Sequence, residues 1–239
     1  MTRLLVILSL LTCLLRATPK HVAVFVALCD NASQGIAPVP AKIGNGNNPG
    51  ENLYWGNSEG LKSWFSHSKS WKLVSHDTPT DPRILERLVF RSSDNSIELT
   101  AEGWRGSEIK NCLTAFESAL ISGKHDLCAY IGHDVLMDAN IPPPTTKAAK
   151  PCDAIVLCCM SQPYFESRLT SIGAHPVLLT SQLMYPGAFL LHDALPSWSA
   201  GKPLPSIRLA AAISYAHNQK ITTKAALGVF ADLTHPAPH

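Results

Sequence analysis

Two short apolar runs, each ending abruptly in residues that do chemistry, constrain this chain more than anything else in it. Asp126–Asp134 reads Asp-Leu-Cys-Ala-Tyr-Ile-Gly-His-Asp, and Cys152–Ser161 reads Cys-Asp-Ala-Ile-Val-Leu-Cys-Cys-Met-Ser. Neither alternates apolar with polar residues, and both are too short for a buried helix. Such runs suit parallel strands covered on both faces. If both lie in one parallel sheet, their C-terminal ends share the edge where open α/β folds bind ligands. His133 is thereby expected close to Cys158 and Cys159.

The chain of 239 residues can build one sizeable α/β domain. The formal charge of +2, with no basic stripe interleaved with aromatics, argues against a nucleic-acid partner. Residues 2–17 have the pattern of a secretory signal. Arg3 supplies the positive start, Leu4–Leu15 the apolar stretch and Leu15-Arg16-Ala17 the cleavage site. The expectation is therefore export, with residues 1–17 removed, a domain over 20–233 and a disordered tail over 234–239. No later stretch is long enough to span a bilayer, so no membrane association is expected after cleavage.

Of seven cysteines, Cys29, Cys112, Cys128, Cys152, Cys158 and Cys159 remain after that cleavage. Their spacing does not form a small disulfide scaffold, and Cys112 and Cys128 read as buried thiols acting as small hydrophobes. With no Cys-x-x-Cys and no His-x-x-x-His, neither a metal site nor a cofactor is expected. His67, His76, His125, His175, His192 and His217 show no ligand spacing and read as surface residues or caps.

The rest of the chain alternates strands with helices, favouring an α/β domain with a mainly parallel sheet flanked by helices, as in flavodoxin-like folds. Lys20–Cys29 is the first strand. A long loop rich in Gly, Asn and Pro follows from Ala32 to Asn57. Its Gly44–Gly50 segment has the composition of a phosphate loop. No helix opens straight after it and no Gly-Lys-Ser/Thr appears, so it reads as turns. Asn52, Tyr54 and Trp55 are expected to pack over the sheet edge as pocket wall, with Tyr185 opposite them. Ser58 is read as the cap of a helix to Phe65, and Pro82 as the start of a short helix through Leu88. A hairpin turns at Asp94-Asn95, and helices are expected over Ser107–Ile121, Tyr164–Ile172 and Ile207–His217. The Pro142–Pro151 connector is stiff and short for a crossover carrying a full helix.

A histidine and a cysteine at neighbouring strand ends suit nucleophilic catalysis, in which the imidazole activates the thiol and then carries its proton. Backbone N–H groups after the cysteine, or near Gly132, are candidates for an oxyanion hole. Asp134 either orients His133 or caps the following turn, and capping is the favoured role for an adjacent residue. Asp30 and Asn31 end the first strand and could reach the same edge, Asp30 to select a basic substrate group. No Gly-x-Ser-x-Gly elbow is present, which argues against a serine hydrolase of that design.

These motifs resemble the caspase-like cysteine peptidases, including metacaspases, legumains and gingipains. Tyr130-Ile131-Gly132-His133 is similar to their histidine motif. Leu157-Cys158-Cys159-Met160-Ser161 resembles the metacaspase form, in which the second of two cysteines is the nucleophile. The resemblance implies Cys159 as nucleophile, His133 as its partner and Cys158 turned into the core. Asp134 and Gln162 stand where that family has glycines. Ala27-Leu28-Cys29-Asp30-Asn31 and Asn52–Gly56 also resemble segments of a secreted bacterial family, a likeness that implies no activity. The expected function is a cysteine-type hydrolase acting on a peptide or small-molecule amide. The alternatives are a non-catalytic domain holding a ligand or peptide in the same crevice, and a peptidase fold that has lost its activity.

Overall fold

The computed structural model describes residues 18–234, so the expected signal segment (residues 1–17) and the tail beyond residue 234 lie outside the described residues. The elements in order are β1 (Lys20–Ala27), α1 (Leu61–His67), β2 (Trp71–Asp77), β3 (Ile84–Ser92), β4 (Ile97–Trp104), α2 (Ile109–Ile121) and β5 (Leu127–Ile131). They continue with α3 (Val135–Asp138), β6 (Asp153–Leu157), α4 (Ser161–Ser171), β7 (His175–Leu178), α5 (Phe189–Ser199), α6 (Leu204–Gln219) and α7 (Thr223–Leu227). Seven strands form one sheet in the order β2-β3-β4-β1-β5-β6-β7. The stretch from β4 to β7 is parallel, and β2-β3-β4 is an antiparallel meander on one edge.

Why β1, β5 and β6 sit centrally follows from their composition. Each is apolar on both faces, so each must be covered twice. Along β1, Val22, Val24, Val26 and Leu28 join the core on one side with α1, α5 and α6. Ala23, Phe25 and Ala27 join the other core with α2 and α4. Strand β2 instead exposes Leu73 and Val74, as an edge strand can.

Several sequence expectations hold. Asn95 turns the β3–β4 hairpin at φ 60°. The Gly44–Gly50 segment is a run of turns, in which Asn45 and Asn48 side chains accept from the N–H groups two residues on. Two expectations fail. The segment from Ile84 to Leu88 is strand rather than helix, because Leu88 and Phe90 are buried on alternate positions and the ladder to β4 satisfies its backbone. Pro82 lies in the preceding turn, where the Asp81 carboxylate accepts from Arg83 N–H. Helix α1 begins at Leu61 with Gly60 as its cap, and the Ser58 hydroxyl bonds Asn57 instead of capping.

The 139–152 connector carries no crossover helix. It is held down by Arg168, buried at 7% exposure, which donates to the carbonyls of Ile141 (2.6 Å) and Pro142 (3.0 Å). The same guanidinium forms a two-bond pair with Glu117 of α2. One buried cation thereby ties α4, α2 and the connector together.

Candidate functional site at the C-terminal edge of β5 and β6

Strands β5 and β6 are direct neighbours in parallel register, with Ile131 opposite Leu157. The ladder runs one step further, through Gly132 N–H to Leu157 O at 3.2 Å. His133 and Cys159 each lie two residues beyond this matched pair, so both leave the sheet at one rim. Gly132 has φ +143°, and a Cβ there would meet Ala27 O at 3.1 Å and the Tyr54 ring at 3.6 Å. Only glycine accommodates both the backbone angle and that crowding.

His133 is 9% exposed, and its carbonyl accepts from the buried Tyr130 hydroxyl at 2.9 Å. Its Nε2 lies 2.6 Å from Oδ2 of Asp138, the last residue of α3. The same oxygen accepts from Gly35 N–H at 2.9 Å. Burial pushes the Asp138 carboxyl up, but the bonds from Gly35 and His133 outweigh it and hold the group below the ordinary carboxylate range. A carboxylate on Nε2 places the proton of a neutral imidazole there and leaves Nδ1 with the lone pair. Sequence reasoning missed Asp138. Five residues on, across a one-turn helix, it offers no spacing signal that marks it as the partner of His133.

Asp134 takes the capping role. Its Oδ1 accepts from Leu136 N–H at 2.9 Å at the start of α3. Its Oδ2 is buried without a hydrogen-bond partner, beside the Cys158 thiol. Burial raises its carboxyl to about 7, with the Asp138 charge adding to the rise.

At the end of β6, Cys158 turns into the core and is fully buried, whereas Cys159 is partly exposed. Met160 follows in the left-handed region, at φ 50° and ψ 38°, and α4 begins at Ser161 rather than near Tyr164. This sharp turn is riveted to the strand beyond it. Ser161 Oγ donates to Val156 O and accepts from Thr180 N–H, while the Thr180 hydroxyl donates to Cys158 O. The N–H groups of Met160, Ser161 and Gln162 are all engaged, by Gln182 O, Thr180 Oγ1 and Thr180 O. They and Gly132 N–H are therefore not free to bind an oxyanion, which corrects the expectation. The Cys159 N–H makes no hydrogen bond among the described residues.

The Cys159 sulfur accepts from Met184 N–H and its thiol faces Met184 O, each at 3.4 Å. No hydrogen bond joins Cys159 to His133 among the described residues. The rim is shared, but in this state the thiol is turned to the 181–187 loop.

The other expected site residues divide. Tyr54 packs beneath the rim, close to Gly132, Cys29 and Cys159, and burial raises its hydroxyl well above the ordinary range. Tyr185 stands nearby, raised first by burial and then by Glu59. Trp55 is not pocket wall. It is fully buried, lies on Gly103 and donates from Nε1 to Glu86. Asn52 is also fully buried and is a backbone clamp, accepting from Cys29 N–H (2.9 Å) and donating to Cys29 O (2.8 Å) and Asn45 O (3.1 Å). Asp30 spends its carboxylate on Ala32 N–H and the Ser33 hydroxyl, so it organises the loop instead of selecting a basic substrate. Asn31 likewise exchanges two bonds with the Val39 backbone.

A cleft of about 400 Å³ adjoins the rim, lined by Asp138, Asn140, Met137, Tyr164 and neighbouring residues of α3 and α4. All six described cysteines are free thiols, and the sulfurs of Cys128 and Cys152 lie 3.8 Å apart. No protein-family model, no curated protein and no solved structure matches this chain.

Proposed function

We propose that the protein is a cysteine-type hydrolase of peptide or amide bonds, with Cys159 as nucleophile and His133 as its general base and then acid. The observation that carries this reading is the pairing of β5 with β6, which delivers an imidazole and a thiol from equal offsets to one rim. In the reaction Cys159 Sγ attacks the carbonyl carbon and its proton passes to His133 Nδ1. His133 then protonates the departing amine, and water releases the acyl group. Asp138 holds the imidazole by Nε2 and stabilises its charged form, the part an acid plays in a triad. The Cys159 N–H is the donor available to the developing oxyanion. Bringing sulfur and nitrogen together requires the 181–187 loop to release the sulfur from Met184, consistent with the looser geometry of unliganded sites.

The rival reading is a non-catalytic domain that binds a ligand or peptide at the same rim. One observation favours it: the Cys159 sulfur is engaged by Met184 rather than His133. Chloroacetamide alkylation mapped by mass spectrometry separates the two. A hydrolase labels rapidly at Cys159, loses that labelling in Cys159→Ala and slows in His133→Ala. Slow labelling throughout, or equal Cys159 rates with and without His133, removes the dyad.

A further inference from the structure

A second constellation lies toward the opposite edge of the sheet, where α1 gives way to β2. Ser68 closes α1, its N–H donating to Phe65 O at 3.3 Å. Its hydroxyl oxygen lies 2.8 Å from Nε2 of His192, on α5. On the far side of that ring, Nδ1 lies 2.6 Å from Oδ1 of Asp193. The imidazole is fixed in direction by two edge-on aromatic contacts, with Phe65 at 5.4 Å and Trp64 at 6.4 Å. Ser68 and His192 open onto a cleft of about 440 Å³ lined also by Ser58, Ser63, Trp64 and His67.

We propose that Ser68, His192 and Asp193 form a second nucleophilic site, a serine that accepts acyl groups from small activated esters. The roles follow from the order of the chain of hydrogen bonds. Asp193 accepts from Nδ1–H, which leaves the Nε2 lone pair facing the Ser68 hydroxyl. Burial pushes the Asp193 carboxyl up, but hydrogen bonds from His192 and Ser214 outweigh it and keep the group ionised through neutral pH. Ser68 Oγ bonds to the ester carbonyl carbon while its proton moves to Nε2. The carbon–oxygen bond to the leaving group breaks, that group departs with the proton from Nε2, and water later hydrolyses the seryl ester.

The substrate class follows from what surrounds the serine. Ser68 N–H is spent on Phe65 O, and Ser70 N–H donates to Ser68 Oγ itself at 3.1 Å. Neither can hold a developing oxyanion, so the leaving group must be good: an aryl ester rather than a peptide. The Trp64 wall suits a short acyl chain. The site differs from a Gly-x-Ser-x-Gly elbow because its serine ends a helix instead of opening one. Its three members are 124 positions apart at the widest hydrogen bond, with the acid next to the base. Residue spacing along the chain therefore carries no sign of it.

The test uses the whole chain and a fluorophosphonate probe. Reaction would form a bond from Ser68 Oγ to phosphorus and expel fluoride, with the proton taken by His192. The expected result is a phosphonyl adduct mapped to Ser68, absent in Ser68→Ala and formed at least tenfold more slowly in His192→Gln, which keeps a planar amide between the two rings. Cys159→Ala removes the other candidate nucleophile, so 4-nitrophenyl acetate turnover remaining in that variant and lost on adding Ser68→Ala reads this site alone. Should His192→Gln lower the melting temperature, Ser68→Cys supplies an independent measure: a thiol activated by His192 should keep more than a tenth of its pH 8 alkylation rate at pH 6, whereas an unactivated thiol slows by about a hundredfold. No adduct at Ser68, or an unchanged rate in a folded His192→Gln, would show the hydrogen bonds to be purely structural and overturn the proposal.

Discussion

Asp134 is the most quantitative lever on this rim. Its side chain has no measurable exposure, and one carboxylate oxygen lacks a partner. Burial therefore raises it from 3.8 to about 7 in the folded protein. Between those two values the folded state holds a proton that the unfolded chain has released. Stability conferred by the neutral acid is then fully present below about pH 4 and drains away as the pH rises to about 7. Three pH units correspond to a loss on the order of 4 kcal/mol across that window, a large part of the stability of a small domain. Asp134→Asn retains the acceptor for Leu136 N–H and cannot ionise. Urea denaturation at intervals from pH 4 to pH 8 should give a difference between variant and wild type that grows with pH and levels off near pH 7. The contribution of Asp138, held below its ordinary range, has the opposite sign and falls at lower pH, so it cancels in that difference. A difference that stays flat across the window would refute the argument that burial dominates Asp134.

Two further outcomes follow from named contacts. In Asp138→Asn the charge-assisted bond to His133, typically worth about 1.5–3 kcal/mol, is replaced by a neutral one. Chloroacetamide alkylation of Cys159 should slow by about ten- to a hundredfold while the melting temperature changes little; an unchanged rate would remove Asp138 from the site. In Arg168→Met the Glu117 carboxylate is left buried and unpaired, and the expected loss is about 3–5 kcal/mol in urea denaturation. Most of it should return in the double variant with Glu117→Leu.

What the sequence made legible was the centre of the sheet. Unalternated apolar runs at β1, β5 and β6 announce two-sided burial, and their ends announce the rim. The meander edge was partly hidden. Pro82 and the charged Glu86 and Arg87 look helical in isolation, yet Glu86 bonds Trp55 and Lys62 on one face of the sheet while Arg87 pairs with Glu102 on the other, the alternation of a strand. The polar residues were harder still. Asp30, Asn31 and Asn52 look available for ligands because a linear sequence cannot show which backbone groups they satisfy. Asp138 and the Ser68–His192 contact were invisible for the converse reason: each depends on how a short helix or a helix end is placed in space.

The heavy use of side chains to hold backbone at the rim bears on the proposed reaction. Loop 30–57 is long, yet Asn52 binds both polar groups of Cys29, and Gln34 donates to Leu28 O and Gly106 O. On the other flank Ser161 and Thr180 lock the turn that carries Cys159. Such bonds cost ordering entropy and in return satisfy buried backbone groups at the ends of β1 and β6. By contrast, Met184 holds the sulfur through two bonds at 3.4 Å, and a thiol is a weak donor and a weak acceptor. That weak restraint falls on the atom that the proposed attack would have to move. A substrate that displaces the 181–187 loop would free the thiol without disturbing His133, whose partners Asp138 and Tyr130 belong to α3 and β5. On the proposed mechanism, loop displacement, rather than rearrangement of the histidine, is therefore the step through which a ligand would control the reaction.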